Sequence, residues 1–202
     1  MLLCPADPQR SLDTPGLRDA LARIGLIGAP LAGIGGGFLA GEGFLGLIIF
    51  AGCSVTVALS PADAGDGPFT HVRLLGPFRD PRLISGRNTR PPRCPGCRAP
   101  HRGWRTALAE AGVVGPPPLA CPACGAAQPP WAWDWKGNAG CGRVFVDIEE
   151  IFPGEATPAP ALNAALEQLT GSPWRHFYVQ DSCEQASALG SKQPRTGQDL
   201  QD

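Results

Sequence analysis

Residues 93–100 read RCPGCRAP and residues 119–127 read LACPACGAA, two copies of one device in a chain of 202 residues. Each copy sets two cysteines in a Cys-x-x-Cys pair, Cys94 with Cys97 and Cys121 with Cys124, and a proline follows the first cysteine of each. The 23 residues between the pairs (98–120) leave room for two turns to converge, and four thiolates so arranged suit a tetrahedral Zn²⁺. Proline pre-sets each turn and frees the following backbone N–H groups to point at sulfur. Gly125, directly after the second pair, supplies the left-handed backbone such turns need, and Gly96 lies inside the other.

The knuckle CPACG resembles those of the zinc-ribbon superfamily, which read C-P-x-C-G. The first knuckle, CPGCR, departs from that pattern at Arg98, where glycine is usual. The resemblance spans about residues 90–150. It implies a structural metal bound by Cys94, Cys97, Cys121 and Cys124, and a β-hairpin beyond the second knuckle, for which WAWDW (131–135) and RVFVDIEE (143–150) are the candidates. An iron site of rubredoxin type uses the same four ligands and is the chemical rival; disulfides are the plain alternative in an oxidising compartment. The opening MLLCPADPQR reaches Asp7 before any apolar export core develops, so the expected compartment is the reducing cytoplasm, where paired cysteines read as metal ligands.

Outward from the knuckles, charge is segregated. Arginine occurs nine times from Arg73 to Arg105 against one acid, Asp80, whereas the rest of the chain holds eight basic and seventeen acidic residues. Arg87, Arg90, Arg93, Arg98 and Arg102 surround the first knuckle and form the candidate surface for an anionic partner, nucleic acid or acidic protein. The tryptophans of WAWDW fall on one face by alternation. They are read as a hydrophobic seam over the ribbon in preference to a base-stacking platform, because three exposed indoles invite aggregation.

The flanks read as an α+β fold: a small, mainly antiparallel sheet with two short helices, into which the ribbon is inserted. Gly 27 and Pro 23 imply many turns and short elements. TPGLRDALARIGL predicts a helix capped by Thr14, with Leu17, Leu21 and Ile24 as its stripe. The glycine-rich run 25–43 reads as loop, and 44–50, 54–60 and 69–75 as a strand meander. A second helix follows Thr157 as cap, with Leu162, Ala165, Leu166 and Leu169 on one face and Gly171 at its stop. A short helix is expected in GWRTALAEAG and a strand over 174–180. The resulting division is 1–75 helix plus meander, 76–142 ribbon insertion, 143–180 strand–helix–strand, and 181–202 a polar, disordered tail. Between Arg23 and Asp63 the only charge is Glu42, so a membrane hairpin over 25–59 is a rival reading. Glu42 leaves halves of about 18 residues, at the lower end of spanning length, and the recurring glycines favour short buried strands.

Enzyme signatures are sparse. A zinc deaminase needs His-x-Glu upstream of its cysteines, and THVRL puts Arg73 where the glutamate belongs. His71, His101 and His176 are scattered, and no His-Glu-x-x-His occurs. Gly35, Gly37 and Ala40 match a loose dinucleotide fingerprint, but Gly41 and Gly43 disfavour the helix it must open. The enzymatic alternative is a carboxylate pair, Asp147 and Glu149, alternating on one strand face in a cleft beside the ribbon. Cys53 and Cys141 read as small buried residues, Cys4 and Cys183 as incidental.

Overall fold

A computed structural model describes residues 1–52, 57–109 and 117–180. In chain order the strands are β1 (Leu2–Pro5), β2 (Ile27–Pro30), β3 (Gly37–Ala40), β4 (Ile48–Phe50), β5 (His71–Leu75), β6 (Arg82–Ser85), β7 (Leu119–Ala120), β8 (Ala127–Gln128), β9 (Ala139–Gly142), β10 (Phe145–Ile148), β11 (Ala156–Pro158) and β12 (Trp174–Phe177). The helices are α1 (Thr14–Arg23), α2 (Phe44–Leu47), α3 (Pro61–Ala64), α4 (Trp104–Ala109) and α5 (Pro160–Thr170). The fold is α+β, as expected. Six strands form an open sheet in the order β12-β1-β10-β5-β3-β2, and the pairs β4–β11, β6–β9 and β7–β8 form smaller sheets. Each pairing is antiparallel.

The main sheet is buried on both faces at β1 and β10, and alternation along its strands assigns each side chain to one face. Leu3, Val72, Leu74, Val146 and Ile148 face α1 and α5, where Leu17, Leu21, Leu162 and Leu166 complete the largest core. Leu2, Cys4, Phe145 and Phe177 point the other way and meet Phe78 and Ile84 from the segment that leads into the ribbon. Burying each such large apolar side chain contributes about 1.5–3 kcal/mol. Because β1 lies between β10 and β12, its residues Leu2, Leu3 and Cys4 have no polar face to show. That explains why alternation did not reveal the strand, and Cys4, expected to be incidental, is fully buried within it.

Both amphipathic helices occur close to their expected places, with different caps. Asp13, not Thr14, caps α1, its carboxylate accepting the Gly16 N–H at 2.8 Å. In TPAPA the second proline, Pro160, starts α5, while Thr157 lies in β11 and Ala159 holds the cap position. Leu162 and Leu166 are buried and Gly171 closes the helix at φ 64°, whereas Leu169 is 41% exposed and outside the buried stripe.

The expected meander is not present in that form. Residues 44–50 divide into α2 and β4, because turn hydrogen bonds to Gly41 and Gly43 coil the chain. Phe44 and Ile48, four apart, enter the core while Leu45 and Ile49 face out. In the 54–60 run, 54–56 lies outside the described residues, and 57–60 leads into α3 without forming a strand. β5 instead pairs with β10 and β3. The glycine-rich run expected as a loop forms the β2–β3 hairpin on the edge of the main sheet. Gly36 is required there: at φ 67° its backbone approaches β5 so closely that a Cβ would stand 2.6 Å from the Leu74 carbonyl oxygen. The strand expected at 174–180 ends at Phe177, and the tail from 181 lies outside the described residues. Among the described residues no helix is long and apolar enough to cross a membrane.

Candidate metal centre

Both knuckles fold by the same hydrogen bonds. Cys94 N–H donates to the Ala99 carbonyl and Arg98 N–H to the Cys94 carbonyl; Cys121 N–H donates to the Ala126 carbonyl and Gly125 N–H to the Cys121 carbonyl. The residue after the second cysteine is left-handed in each, Gly125 at φ 74° and Arg98 at φ 63°. For arginine this conformation costs about 1–2 kcal/mol. The guanidinium of Arg98 compensates in part by donating to Asp134 Oδ2 at 2.7 Å, a partly exposed pair of modest strength. The departure from glycine at Arg98 is therefore accommodated by a partner on a different segment.

The knuckles bring four sulfurs together. All four Sγ atoms lie within 4.8 Å of one another, with Cys94 and Cys124 at 3.9 Å and Cys97 and Cys121 at 3.6 Å. Four sulfurs at the vertices of a tetrahedron around an ion about 2.3 Å away stand about 3.8 Å apart. A disulfide would need about 2.05 Å. The quartet thus clusters within the distance at which four sulfurs can share one metal ion. Cys94 and Cys121 are buried, and Cys97 and Cys124 are exposed. The Cys124 backbone N–H, with that of Ala123, lowers the Cys121 thiol to about 6. Cys97 receives the Ala99 amide, but the neighbouring thiols hold it up at about 12. Backbone amides aimed at sulfur favour the thiolate, the form that ligates metal.

Beside the four cysteines lies a separate apolar cluster: Trp104, Leu119, Trp133, Trp135 and Ala139 packed with Cys94 and Cys121. Trp104 meets Trp135 edge to face at 5.0 Å, and the Trp135 indole donates to the Pro130 carbonyl at 2.7 Å. Segment 131–135 is not the strand expected of it. Pro129 and Pro130 lack the N–H groups a ladder needs, so the chain makes a 3₁₀ turn over Pro130–Ala132 and pairs with Arg93 only at Asp134. Trp133 and Trp135 are nonetheless buried in this cluster, whereas Trp131, expected on the same face, is only half-buried and not part of it. The expected hairpin of 131–135 with 143–150 does not form: β10 pairs with β1 and β5 in the main sheet, and β9 pairs with β6.

The predicted arginines separate by role. Arg90, Arg93 and Arg102 line one open cleft of about 470 Å³, together with Pro91, Pro100, Lys136 and Asn138. Arg98 is tied to Asp134, and Arg87 lies outside that lining, its backbone N–H donating to the Gln180 carbonyl. Arg105 is structural, donating to the Gly86 carbonyl at 2.7 Å while its guanidinium covers Trp104. Lys136 and Asp134 were not singled out from the sequence. A lone lysine beyond the arginine-rich window gives no signal; it pairs locally with Asp134 at 2.9 Å, and the bridge of Asp134 to Arg93 brings it to the arginines. Lys136 and Arg98 together lower the Asp134 carboxyl to about 2.

Asp147 and Glu149 do not line this cleft. Glu149 pairs with Arg73 at 3.0 Å. Asp147 is 8% exposed, and burial followed by the charge of Glu149 raises its carboxyl to about 7. Cys141, buried as expected, is raised to about 12 by desolvation; Cys53 and Cys183 lie outside the described residues. No protein-family model, curated protein or solved structure matches the chain.

Proposed function

We propose that this chain is a zinc-binding adaptor module, in which Cys94, Cys97, Cys121 and Cys124 hold a structural Zn²⁺ and the ordered ribbon offers its arginines to an anionic partner. The observation that carries the reading is the convergence of four sulfurs within 4.8 Å of one another, close enough to share one ion. Four soft thiolates leave no vacant coordination position for a substrate, which favours a structural over a catalytic ion. The same ligands accept iron, so metal content distinguishes the two. Thiolate ligation also requires a reducing compartment, and the cytoplasm meets that need. The four-cysteine site fixes both ends of residues 94–124, so the ion supplies order that a small tryptophan core alone provides weakly. Arg90, Arg93 and Arg102 gather on one side of that frame. Action by binding, with nucleic acid or an acidic protein as partner, follows from charge presentation without a catalytic constellation beside it.

The test compares the zinc-loaded chain with the chelated chain on an immobilised sulfated polyanion, eluted with salt. Retention of the loaded form and its loss on chelation are expected. A loaded chain that passes unretained at low salt overturns the reading of the arginine surface.

A further inference from the structure

Resting on that reading of an anion-binding surface, we infer that the cleft bounded by Arg90, Arg93, Arg102 and Lys136 is a binding site for the phosphate backbone of duplex nucleic acid, engaged without sequence preference. The cleft is framed by backbone pairing. Arg93 bridges Pro100 on one side and Asp134 on the other, and it exchanges both hydrogen bonds with Asp134, at 2.9 and 3.1 Å. The His101 N–H donates to the Pro92 carbonyl in the same antiparallel register. Arg90 precedes this paired stretch, Arg102 follows His101, and Lys136 lies two residues after Asp134, so the paired segments carry all four cations of the lining.

The lining decides which anion fits. It contains three arginines, one lysine, two prolines and an asparagine, and no aromatic ring; Lys136 is already paired with Asp134 at 2.9 Å, so the three arginines carry its net positive charge. Proteins that hold single strands rely on exposed aromatic faces for base stacking. Here Trp104, Trp133 and Trp135 are only 4%, 3% and 5% exposed, committed to the apolar cluster beside the four cysteines. An acidic protein needs buried anchor side chains to bind well, because exposed ion pairs alone contribute little. Pro91 and Pro100 are both exposed and enclose no pocket for such an anchor. A duplex needs neither feature: neutralising its phosphates releases condensed counterions, and affinity comes from charge alone. Guanidinium groups suit this role because they grip phosphate oxygens in pairs.

The test measures fluorescence anisotropy of the full, zinc-loaded chain with short duplex DNA, duplex RNA, single-stranded DNA of equal length and polyglutamate. With the three arginines neutralising three phosphates, the slope of log affinity against log salt is about −2.7, an affinity loss of about 40-fold between about 50 and 200 mM salt. The double variant R90Q/R102Q should reduce the slope to about −0.9, a loss of about 3–4-fold over the same range. Arg18, exposed on α1 outside the ribbon, serves as control: R18Q should leave the slope unchanged. Unchanged metal content and melting temperature of R90Q/R102Q separate lost contacts from lost fold, and comparing the two duplexes assigns the source of the phosphates. Tighter binding to the single strand overturns the inference, as does duplex binding that R90Q/R102Q leaves intact. Polyglutamate bound as well as duplex leaves the anion-binding reading standing and removes this inference. Binding to none of the four removes both.

Discussion

Replacing Gly140 by alanine tests how the ribbon sits on the main sheet. Gly140 lies in β9 where the strand crosses the ring of Phe177, and a Cβ there would stand 2.3, 2.6 and 2.7 Å from three of the ring carbons. Carbon atoms pack at about 3.5–4.0 Å, so ring or strand must withdraw by about 1 Å. Phe177 has little freedom to do so, being 2% exposed and edge-on to Phe145 at 6.3 Å. Overpacking of this kind costs about 1–3 kcal/mol, while the stiffer unfolded chain returns about 0.4–1 kcal/mol. The net loss of about 1–2 kcal/mol lowers the melting temperature by about 2–8 °C for a chain of this length. Thermal unfolding followed by circular dichroism reads it. Adding Phe177→Leu should relieve the clash, so that the double variant is less destabilised than the two single changes together, by about 0.5–3 kcal/mol. A Gly140→Ala chain melting at or above the parent temperature, or strictly additive effects, refutes the packing of β9 on Phe177.

Asp147→Asn should alter the pH dependence of stability. Because burial and the charge of Glu149 raise the folded carboxyl to about 7, above its ordinary value near 3.8, the folded state binds more protons across that interval. The stability this group contributes is present below about pH 4 and is lost as pH rises through about 7, so the parent should lose stability over that range, and the asparagine variant should show a flatter pH profile of melting temperature. A parallel profile for the two proteins contradicts the burial of that charge. Thr170→Val removes a hydroxyl that donates to the Leu166 carbonyl at 2.7 Å and accepts from the Trp174 indole at 2.9 Å. The indole N–H is left unpaired, at a cost of about 1–3 kcal/mol by denaturant unfolding, and Thr170→Ser should retain most of that stability.

The legible parts of this chain are those whose chemistry is local. A Cys-x-x-Cys knuckle needs only its own turn, so Cys94, Cys97, Cys121 and Cys124 stand out in sequence and their sulfurs meet in the structure. α1 and α5 are legible because helical period and terminal Pro and Gly signals are read within one segment. β1 is illegible for the opposite reason: a strand between two partners buries every residue, and LLCP shows no alternation. The run 44–50 misleads because the spacing of Phe44 and Ile48 fits a helical turn as well as a strand in so few residues. The cleft is half legible. Its arginines cluster in sequence, whereas Lys136 joins them only through the pairing of Arg93 with Asp134, a contact 41 residues apart along the chain that no local pattern encodes.

X-ray absorption at the zinc edge of the purified chain tests the metal centre most directly. The account predicts one zinc per chain with a single shell of four sulfurs at about 2.3 Å, and loss of zinc when Cys94 or Cys121 is replaced by serine. A first shell containing nitrogen or oxygen at about 2.0–2.1 Å, or a chain without metal whose cysteines are joined at about 2.05 Å, would contradict it.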